Sequence, residues 1–257
     1  MTTNVDPRAA TRLGRAVRAT TEGAALAAGH REPHRQTNWL RDVILGGQDG
    51  LVNILGIILG VIAGGGSDVV LLAAGFAAAI TESISMGAVG YTSSVSERDY
   101  YESEKAREVT EIRTVPEVER QEIRDIYAAK GFSGKLLDDV VGTITANRQT
   151  WLATMMNEEL HLQPVESRDI LRTAVVIGIA TLIGHLIPLV PFMFLSRTPA
   201  LVLAIVLSAV ALFGVGAYTA VTLVGDWRRS GLKFLAIGLG AAAIGFFVGR
   251  LFNATGA

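Results

Sequence analysis

Five long apolar segments alternate with polar ones along this chain. They cover residues 43–64, 69–91, 174–195, 199–225 and 234–249. Since a transmembrane helix needs roughly 20 apolar residues, the pattern predicts five membrane-spanning helices. The fifth segment is the shortest, and we expect its helix to extend past Arg250, whose long side chain can reach the membrane surface.

The polar segment between the second and third spans has the pattern of helices. Residues 91–113 contain neither proline nor glycine, which predicts that the second span continues unbroken beyond the membrane. Pro116 is expected in the first turn of the next helix, with Thr114 as its N-cap, and Gly131 is expected to end that helix. A third helix is predicted over about residues 135–160. The fold class is therefore an all-α membrane protein, with five transmembrane helices and a three-helix insertion between helices 2 and 3.

Composition agrees with a membrane protein and narrows its partners. Half of the residues are hydrophobic and 18% are charged, a balance that is rare in soluble domains. A formal net charge of −1 gives no general attraction to nucleic acid, so the expected partners are the lipid bilayer and small ions. The lack of cysteine in the sequence excludes disulfides and thiolate metal ligands.

Basic residues fall mainly on one side of the predicted bundle. Of the 23 Lys and Arg residues, 7 precede the first span, 11 lie in the insertion and 3 follow the fourth span. Only Arg197 and Arg250 fall on the other side. The positive-inside rule therefore predicts a cytoplasmic N-terminus and insertion, with the C-terminus outside. The chain is thus predicted to have four units. They are a disordered cytoplasmic arm (residues 1–38), spans 1–2 (39–91), the cytoplasmic metal-binding insertion (92–173) and spans 3–5 (174–257).

Side chains that bind metals recur at helical spacing in the insertion. Residues three or four apart share a helix face, so each of the three helices presents ligand atoms together. A mixture of carboxylates and thioethers favours first-row transition metals over Mg²⁺ and Ca²⁺. Two other interpretations remain open: solvated acids paired with arginines, and methionines that fill a core. The candidate ligands are Glu108, Glu111, Glu119, Glu122, Met155, Met156 and Glu159.

Two acids lie inside predicted spans. Asp49 is in the first span, and Glu82 precedes Met86 by four residues in the second. A carboxylate in hydrocarbon costs at least ~2.5–3.5 kcal/mol, so these residues are candidates for an ion-binding site. Asp49 could instead cap a helix near the cytoplasmic end of its span, and Met86 could serve helix packing. His185 is read as a helix–helix hydrogen-bonding residue rather than a ligand.

Small residues and prolines mark the packing of the spans. Gly56, Gly60 and Gly64 repeat every four residues, as do Gly245 and Gly249, which lets helix backbones approach closely. The stripes fit either packing within one chain or a dimer face. Two prolines, at 188 and 191, are expected to kink the third span.

Taken together, these residues resemble the vacuolar iron transporter family. The resemblance rests on residues 49–51, 83–87, 155–156 and 187–191, in that order along the predicted spans, and covers about residues 39–252. It implies a five-span homodimer, not an enzyme, that exchanges Fe²⁺ for protons and moves metal out of the cytosol along the dimer interface. Asp49 and Met86 match the family's path residues. The seven candidate ligands of the insertion match its cytoplasmic metal-binding residues.

One position departs from the family pattern. Well-known members carry an acid two turns before the methionine of the second span, where this chain has Ala78. Our hypothesis is that Glu82, one turn before Met86, takes over the role of the missing carboxylate.

Three questions stay open at the level of sequence. Ligand type does not separate Fe²⁺ from Mn²⁺, Co²⁺ or Zn²⁺. A membrane-anchored iron-binding or ferroxidase protein is a third function, although a di-iron bundle usually has Glu-x-x-His on two helices and only Glu158 and His161 fit that spacing. The Ala-, Gly-, Arg- and Val-rich composition fits a prokaryotic plasma membrane, and the family resemblance also permits a vacuolar membrane.

Overall fold

The computed structural model describes residues 38–223 and 225–255, and this part of the chain is helical without strands. The predicted disordered arm lies outside the described residues, apart from Asn38. The described part contains nine α-helices: α1 Asn38–Ala63, α2 Asp68–Thr114, α3 Pro116–Ala129, α4 Gly134–Ala146, α5 Arg148–Thr154, α6 Ser167–Leu189, α7 Pro191–Phe194, α8 Arg197–Leu223 and α9 Trp227–Thr255. A π-helix, Met155–Glu159, follows α5 directly.

Five of these helices are long and apolar enough to cross a membrane: α1, α2, α6, α8 and α9. This confirms the predicted all-α membrane fold with five spans. The fifth helix does continue past Arg250, as far as Thr255. Large apolar side chains such as Ile84 and Phe247 are exposed on the outer faces. That exposure is expected where the surrounding solvent is lipid rather than water.

Helix α1 packs against α2, α6, α8 and α9. Its apolar side chains, Ile54 and Ile58 among them, form a buried cluster with Leu71 of α2 and Leu189 of α6. Every other span thus contacts α1, and its polar residues lie close to those of its neighbours.

Glycines allow α1 to approach two helices closely. A Cβ at Gly249 would overlap the carbonyl oxygen of Gly60, and one at Gly245 would overlap that of Gly56. The glycine stripes of α1 and α9 therefore pack against each other within one chain, which was one of the two interpretations of their spacing. On the other side of α1, a Cβ at Gly50 would lie 2.8 Å from Nδ1 of His185 in α6.

Helix α2 is one uninterrupted element of 47 residues, as the sequence predicts. At about 1.5 Å per residue it is about 70 Å long, more than twice the roughly 30 Å of a bilayer's hydrocarbon core. Ser67 caps the start of the helix, since its hydroxyl accepts a hydrogen bond from the Val70 N–H at 3.3 Å. A single continuous helix thus connects Glu82 in the predicted span to the acids near the C-terminal end of α2.

Three local predictions were wrong. Thr114 is the last residue of α2 rather than an N-cap: its hydroxyl donates to the Thr110 carbonyl at 2.9 Å, and Val115 precedes Pro116. The single helix expected over 135–160 is divided at Asn147, whose side chain caps α5 by accepting from the Gln149 and Thr150 N–H groups. The third span is not merely kinked but ends at Leu189, and a separate short helix starts at Pro191.

Candidate metal centre and ion path

Glutamates from two helices meet where α2 turns into α3. Carboxylate oxygens of Glu108, Glu111 and Glu119 all lie within 4.8 Å of one another. The first two share a face of α2 because they are three residues apart, and the turn at Val115 and Pro116 brings the first part of α3 back against them. Among the described residues, these three glutamates form a group whose oxygen atoms lie close enough together to hold one metal ion.

Burial leaves some of these carboxylates without partners. Glu108 is 1% exposed and Glu119 is 3% exposed, which is unusual for glutamate. One oxygen each of Glu108, Glu119 and Glu159 is buried and has no hydrogen-bond partner among the described protein groups. An unsatisfied buried polar group costs about 1–3 kcal/mol, and more if charged, so these oxygens are poised to accept a cation or protons.

Raised pKa values in the cluster also indicate that its negative charge is not balanced by positive charge. Burial, and then the neighbouring carboxylates beginning with Glu122, raises the pKa of Glu119 to about 7. Burial, followed by Glu122 and Glu108, raises the pKa of Glu159 to about 7. The structure therefore brings all five candidate glutamates within electrostatic reach of one another. At neutral pH a metal ion that binds here has to displace protons.

Arginines neutralise only part of the cluster. Arg107 lies 2.8 Å from Glu104 and 3.6 Å from an oxygen of both Glu108 and Glu111. Arg120 instead donates to the Thr145 hydroxyl at 2.8 Å, and Arg124 pairs with Asp138 at 2.6 Å. The interpretation of arginine-paired ligands thus describes Arg107 but not Arg120 or Arg124, whose acidic partners, Glu117 and Asp138, are outside the cluster.

A π-helix carries the two methionines and Glu159. Met155 is 0% exposed and Met156 is 2% exposed, so the extra residue in this turn lets two adjacent side chains be buried. Met155 packs in the core of the insertion with Ile123, Val141 and Trp151. The core-filling interpretation therefore describes Met155, and its role as a metal ligand stays a prediction.

A second polar cluster lies within the spans and joins three helices. The amide nitrogen of Asn53 donates to Asp49 at 3.3 Å and also donates to Glu82. The other oxygen of Glu82 lies 2.8 Å from Nε2 of His185, whose ring is fully buried. Nδ1 of His185 lies 2.8 Å from the carbonyl oxygen of Thr181. The cluster thus links α1, α2 and α6.

The contact of His185 with the Thr181 carbonyl places a hydrogen on one ring nitrogen. The Thr181 carbonyl can only accept, so Nδ1 of His185 carries a hydrogen. The contact between Nε2 and the Glu82 oxygen then also needs one hydrogen, which resides on either the ring or the carboxyl group. The two side chains therefore share one hydrogen in this contact.

The other predicted path residues lie close to this cluster. Asp49 is in the middle of α1, and its side chain bonds to Asn53 rather than capping a helix end. It is also near enough to Glu82 for the two carboxylates to interact directly. Met86 is half-buried and lies one turn after Glu82 on α2. Ala78 lies one turn before Glu82. The structure thus brings Asp49 and Glu82 together.

Sequence reasoning assigned no path role to Asn53. Its spacing of four residues after Asp49 was the available signal, since such residues share a helix face. His185 was expected in a helix–helix hydrogen bond, and it makes one, but its partner Glu82 is 103 residues away in sequence. Helical periodicity gives no indication of such a pair.

Comparison with known proteins shows which family has this sequence. A model of the VIT family matches residues 40–250, which span both polar clusters. The chain belongs to the VIT family. The vacuolar iron transporter 1 of Tulipa gesneriana is 36% identical over 189 residues, 72% of this chain and 76% of that protein. The vacuolar iron transporter 1 of Eucalyptus grandis is 33% identical over 219 residues, 84% of this chain and 88% of that protein. This VIT-family chain is accordingly a multi-pass membrane transport protein rather than an enzyme.

Proposed function

We propose that this protein is a divalent metal/proton antiporter that moves Fe²⁺ out of the cytosol. The observation that carries the proposal is the buried glutamate cluster with partnerless oxygens, whose members Glu108 and Glu111 lie on the same helix as the intramembrane Glu82. The relatives named vacuolar iron transporter support Fe²⁺ as the substrate.

The glutamate cluster acts as a loading site in the cytosol. Glu108, Glu111, Glu119, Glu122 and Glu159 supply oxygen ligands, and the nearby methionines, Met155 and Met156, add soft sulfur donors that favour transition metals. Because Glu119 and Glu159 are partly protonated near neutral pH, loading releases protons. The site thereby concentrates metal at the cytoplasmic side of the bundle.

The intramembrane cluster carries the ion onward. Glu82 and Glu108 are 26 residues apart on α2, which is about 39 Å along the helix, so they form two separate stations. A metal ion that binds Asp49, Glu82 and Met86 competes with the proton held between Glu82 and His185. Protonation from the far side then weakens the site and releases the metal, because H⁺ and M²⁺ compete for the same oxygens.

A second copy of the chain completes the path. Asn53 is exposed and Asp49 is half-exposed in the single chain, although both lie in the middle of a span. Polar groups in a span normally face a protein interior or a water-filled cavity, because lipid cannot satisfy their hydrogen bonds. We therefore place the path at the seam of a homodimer, with this face of α1 covered by the partner.

The proposal leaves the metal and the compartment to be distinguished by experiment. Mn²⁺, Co²⁺ and Zn²⁺ suit the same ligands and form the second substrate hypothesis. We place the protein in a prokaryotic plasma membrane, whereas the names of the relatives favour a vacuolar membrane. Both locations have the same topology, with the glutamate cluster in the cytosol and the metal leaving it.

Proteoliposomes with an imposed pH gradient test the proposal. We expect Fe²⁺ and Co²⁺ to cross in exchange for protons, with metal flux that stops when an ionophore collapses the gradient. The matched control is Glu102→Gln, which removes an exposed acid of α2 outside the cluster and should leave flux unchanged. Metal binding or Fe²⁺ oxidation without flux would overturn the proposal in favour of an anchored iron-binding or ferroxidase protein.

A further inference from the structure

The intramembrane acid Glu82 is held by two side chains from two other helices. Asn53 of α1 donates to one of its carboxylate oxygens, and His185 of α6 contacts the other at 2.8 Å. A glutamate side chain has several rotatable bonds, so an acid without partners would sample several positions. With both oxygens engaged, Glu82 instead keeps one orientation beside Asp49.

His185 is itself rigidly placed. Its ring is 0% exposed, and Nδ1 lies 2.8 Å from the Thr181 carbonyl one turn earlier on α6. Gly50 leaves room for the ring, because a Cβ there would lie 2.8 Å from Nδ1 and would overlap the Thr181 oxygen. The close packing of α1 and α6 therefore fixes the position from which Nε2 reaches Glu82.

Asn53 occupies the space between the two acids. Its amide group has two hydrogens, and the nitrogen is near one oxygen of Asp49 and one of Glu82. Asn53 thus holds the acids together in the absence of metal.

We propose that His185 and Asn53 are positioning residues, which hold the Glu82 carboxylate beside Asp49 in the geometry that receives the metal. The inference rests on the proposed function, because Glu82 must lie in the path. A positioning role and ordinary helix–helix hydrogen bonding predict different effects on metal affinity. Loss of an ordinary hydrogen bond between membrane helices would lower stability but would not change the affinity for metal.

Two substitutions of His185 separate these roles. The amide of His185→Asn takes the place of Nδ1 and keeps the Thr181 contact, whereas the amide of His185→Gln takes the place of Nε2 and keeps a hydrogen-bond partner for Glu82. We expect His185→Asn to raise the KM for Fe²⁺ in proteoliposomes about tenfold, as loss of a partner that orients a ligand does, with a smaller change in kcat. His185→Gln should restore a KM near that of the wild type.

Asn53→Leu provides a second variant, at a position that is exposed in the single chain and so does not disturb the packing of its own helices, and it should also raise the KM. Ser208→Ala, which removes a fully buried hydroxyl of α8, a helix that supplies no residue to the cluster, is the control and should leave the KM unchanged. Thermal unfolding of Glu82→Ala, His185→Asn and the double variant in detergent tests the contact itself without transport. Effects that are non-additive support the contact.

Each result decides between interpretations. Equal KM values for wild-type, His185→Asn and Asn53→Leu proteins overturn the positioning role while leaving the antiporter intact. Equal losses in folded His185→Asn and His185→Gln proteins also overturn it, because the imidazole itself would then be required. If the wild-type protein moves no Fe²⁺ at all, the proposed function has failed first.

Discussion

Individual carboxylates in this protein lie in three different environments. Glu119 is almost fully buried among other acids, Glu82 is half-buried between two hydrogen-bond partners, and Glu102 is exposed near Lys105. The same type of side chain therefore has different neighbours at each position. At Glu119 the environment favours the protonated or metal-bound form, whereas at Glu82 it fixes the direction of the carboxyl group.

Substitution of Glu119 tests whether the cluster is built for metal. Because its folded pKa of about 7 lies above the ordinary 4.5, the folded state holds extra protons between these values. The metal-free protein should therefore lose stability as pH rises through about 7. Glu119→Gln should raise the metal-free Tm at pH 8, by about 2–4 °C for each kcal/mol of repulsion removed.

The same variant should bind metal more weakly. We expect Glu119→Gln to reduce Fe²⁺ or Co²⁺ affinity at least about tenfold in calorimetric titrations, since a lost partner of a ligand already costs that much. Glu102→Gln is the control for both measurements. A variant that lost metal affinity and also lost metal-free stability would indicate a structural role for Glu119 instead.

The two intramembrane acids give a further test at this scale. Asp49→Ala and Glu82→Gln should each reduce the initial rate of Fe²⁺ uptake into proteoliposomes, because each removes a charged ligand from the path. The decisive comparison is between the variants. Loss of transport in Asp49→Ala together with full transport in Glu82→Gln would reject the hypothesis that Glu82 replaces the acid absent at Ala78.

At the scale of elements, backbone contact between α1 and α9 depends on glycine. The carbonyl of Gly60 lies where a Cβ of Gly249 would be, and the carbonyl of Gly56 lies similarly at Gly245. By contrast, the π-helix after α5 contains no glycine, and its extra residue serves the burial of Met155 and Met156. Small residues therefore determine how closely the spans pack, whereas an irregular turn determines which side chains are buried within the insertion.

Gly249→Ala tests the close packing of these spans. The added methyl group meets backbone rather than a movable side chain, and overpacking of this kind costs about 1–3 kcal/mol. We expect a lower Tm in detergent by thermal scanning. Gly240→Ala on the same helix, where the new Cβ has no atom within 4 Å, should leave the Tm unchanged or slightly higher. Equal Tm values for the two variants would contradict the packing.

At the scale of the whole molecule, polar contacts gather at opposite ends of the bundle. Arg197 donates to Asp68 at 2.7 Å, and Asn253 donates to the Ala63 carbonyl at 3.1 Å, so the α1–α2 turn, the start of α8 and the end of α9 share one end. Asp42, near the start of α1, accepts from Thr173 of α6 at 3.2 Å at the other end. These contacts agree with spans of alternating direction.

Labelling of introduced cysteines tests the orientation, because the chain has no cysteine of its own. A cysteine at Ser133 in the insertion should react with a membrane-impermeant maleimide only from the cytoplasmic side. Cysteines at Ser67 and Ser196, both exposed near the other end, should react only from the outside. Reaction of Ser133→Cys and Ser67→Cys from the same side would contradict the proposed topology.

Sequence by itself determined the local elements and what each helix face carries. The apolar runs gave the five spans, the lack of glycine and proline gave the long α2, and spacings of three or four gave the pairs of acids, because these features depend on neighbours along the chain. It missed the division at Asn147 and the π-helix, where a side-chain cap and packing override the local periodicity.

Only the tertiary structure decided which faces meet. Asn53 reaches Glu82 across 29 residues and His185 reaches it across 103, while the turn at Val115 brings Glu119 back to Glu108. Periodicity tells which side chains share one helix face but not which other helix that face contacts. That choice depends on close packing of distant segments, here made possible by glycines such as Gly50 and Gly60.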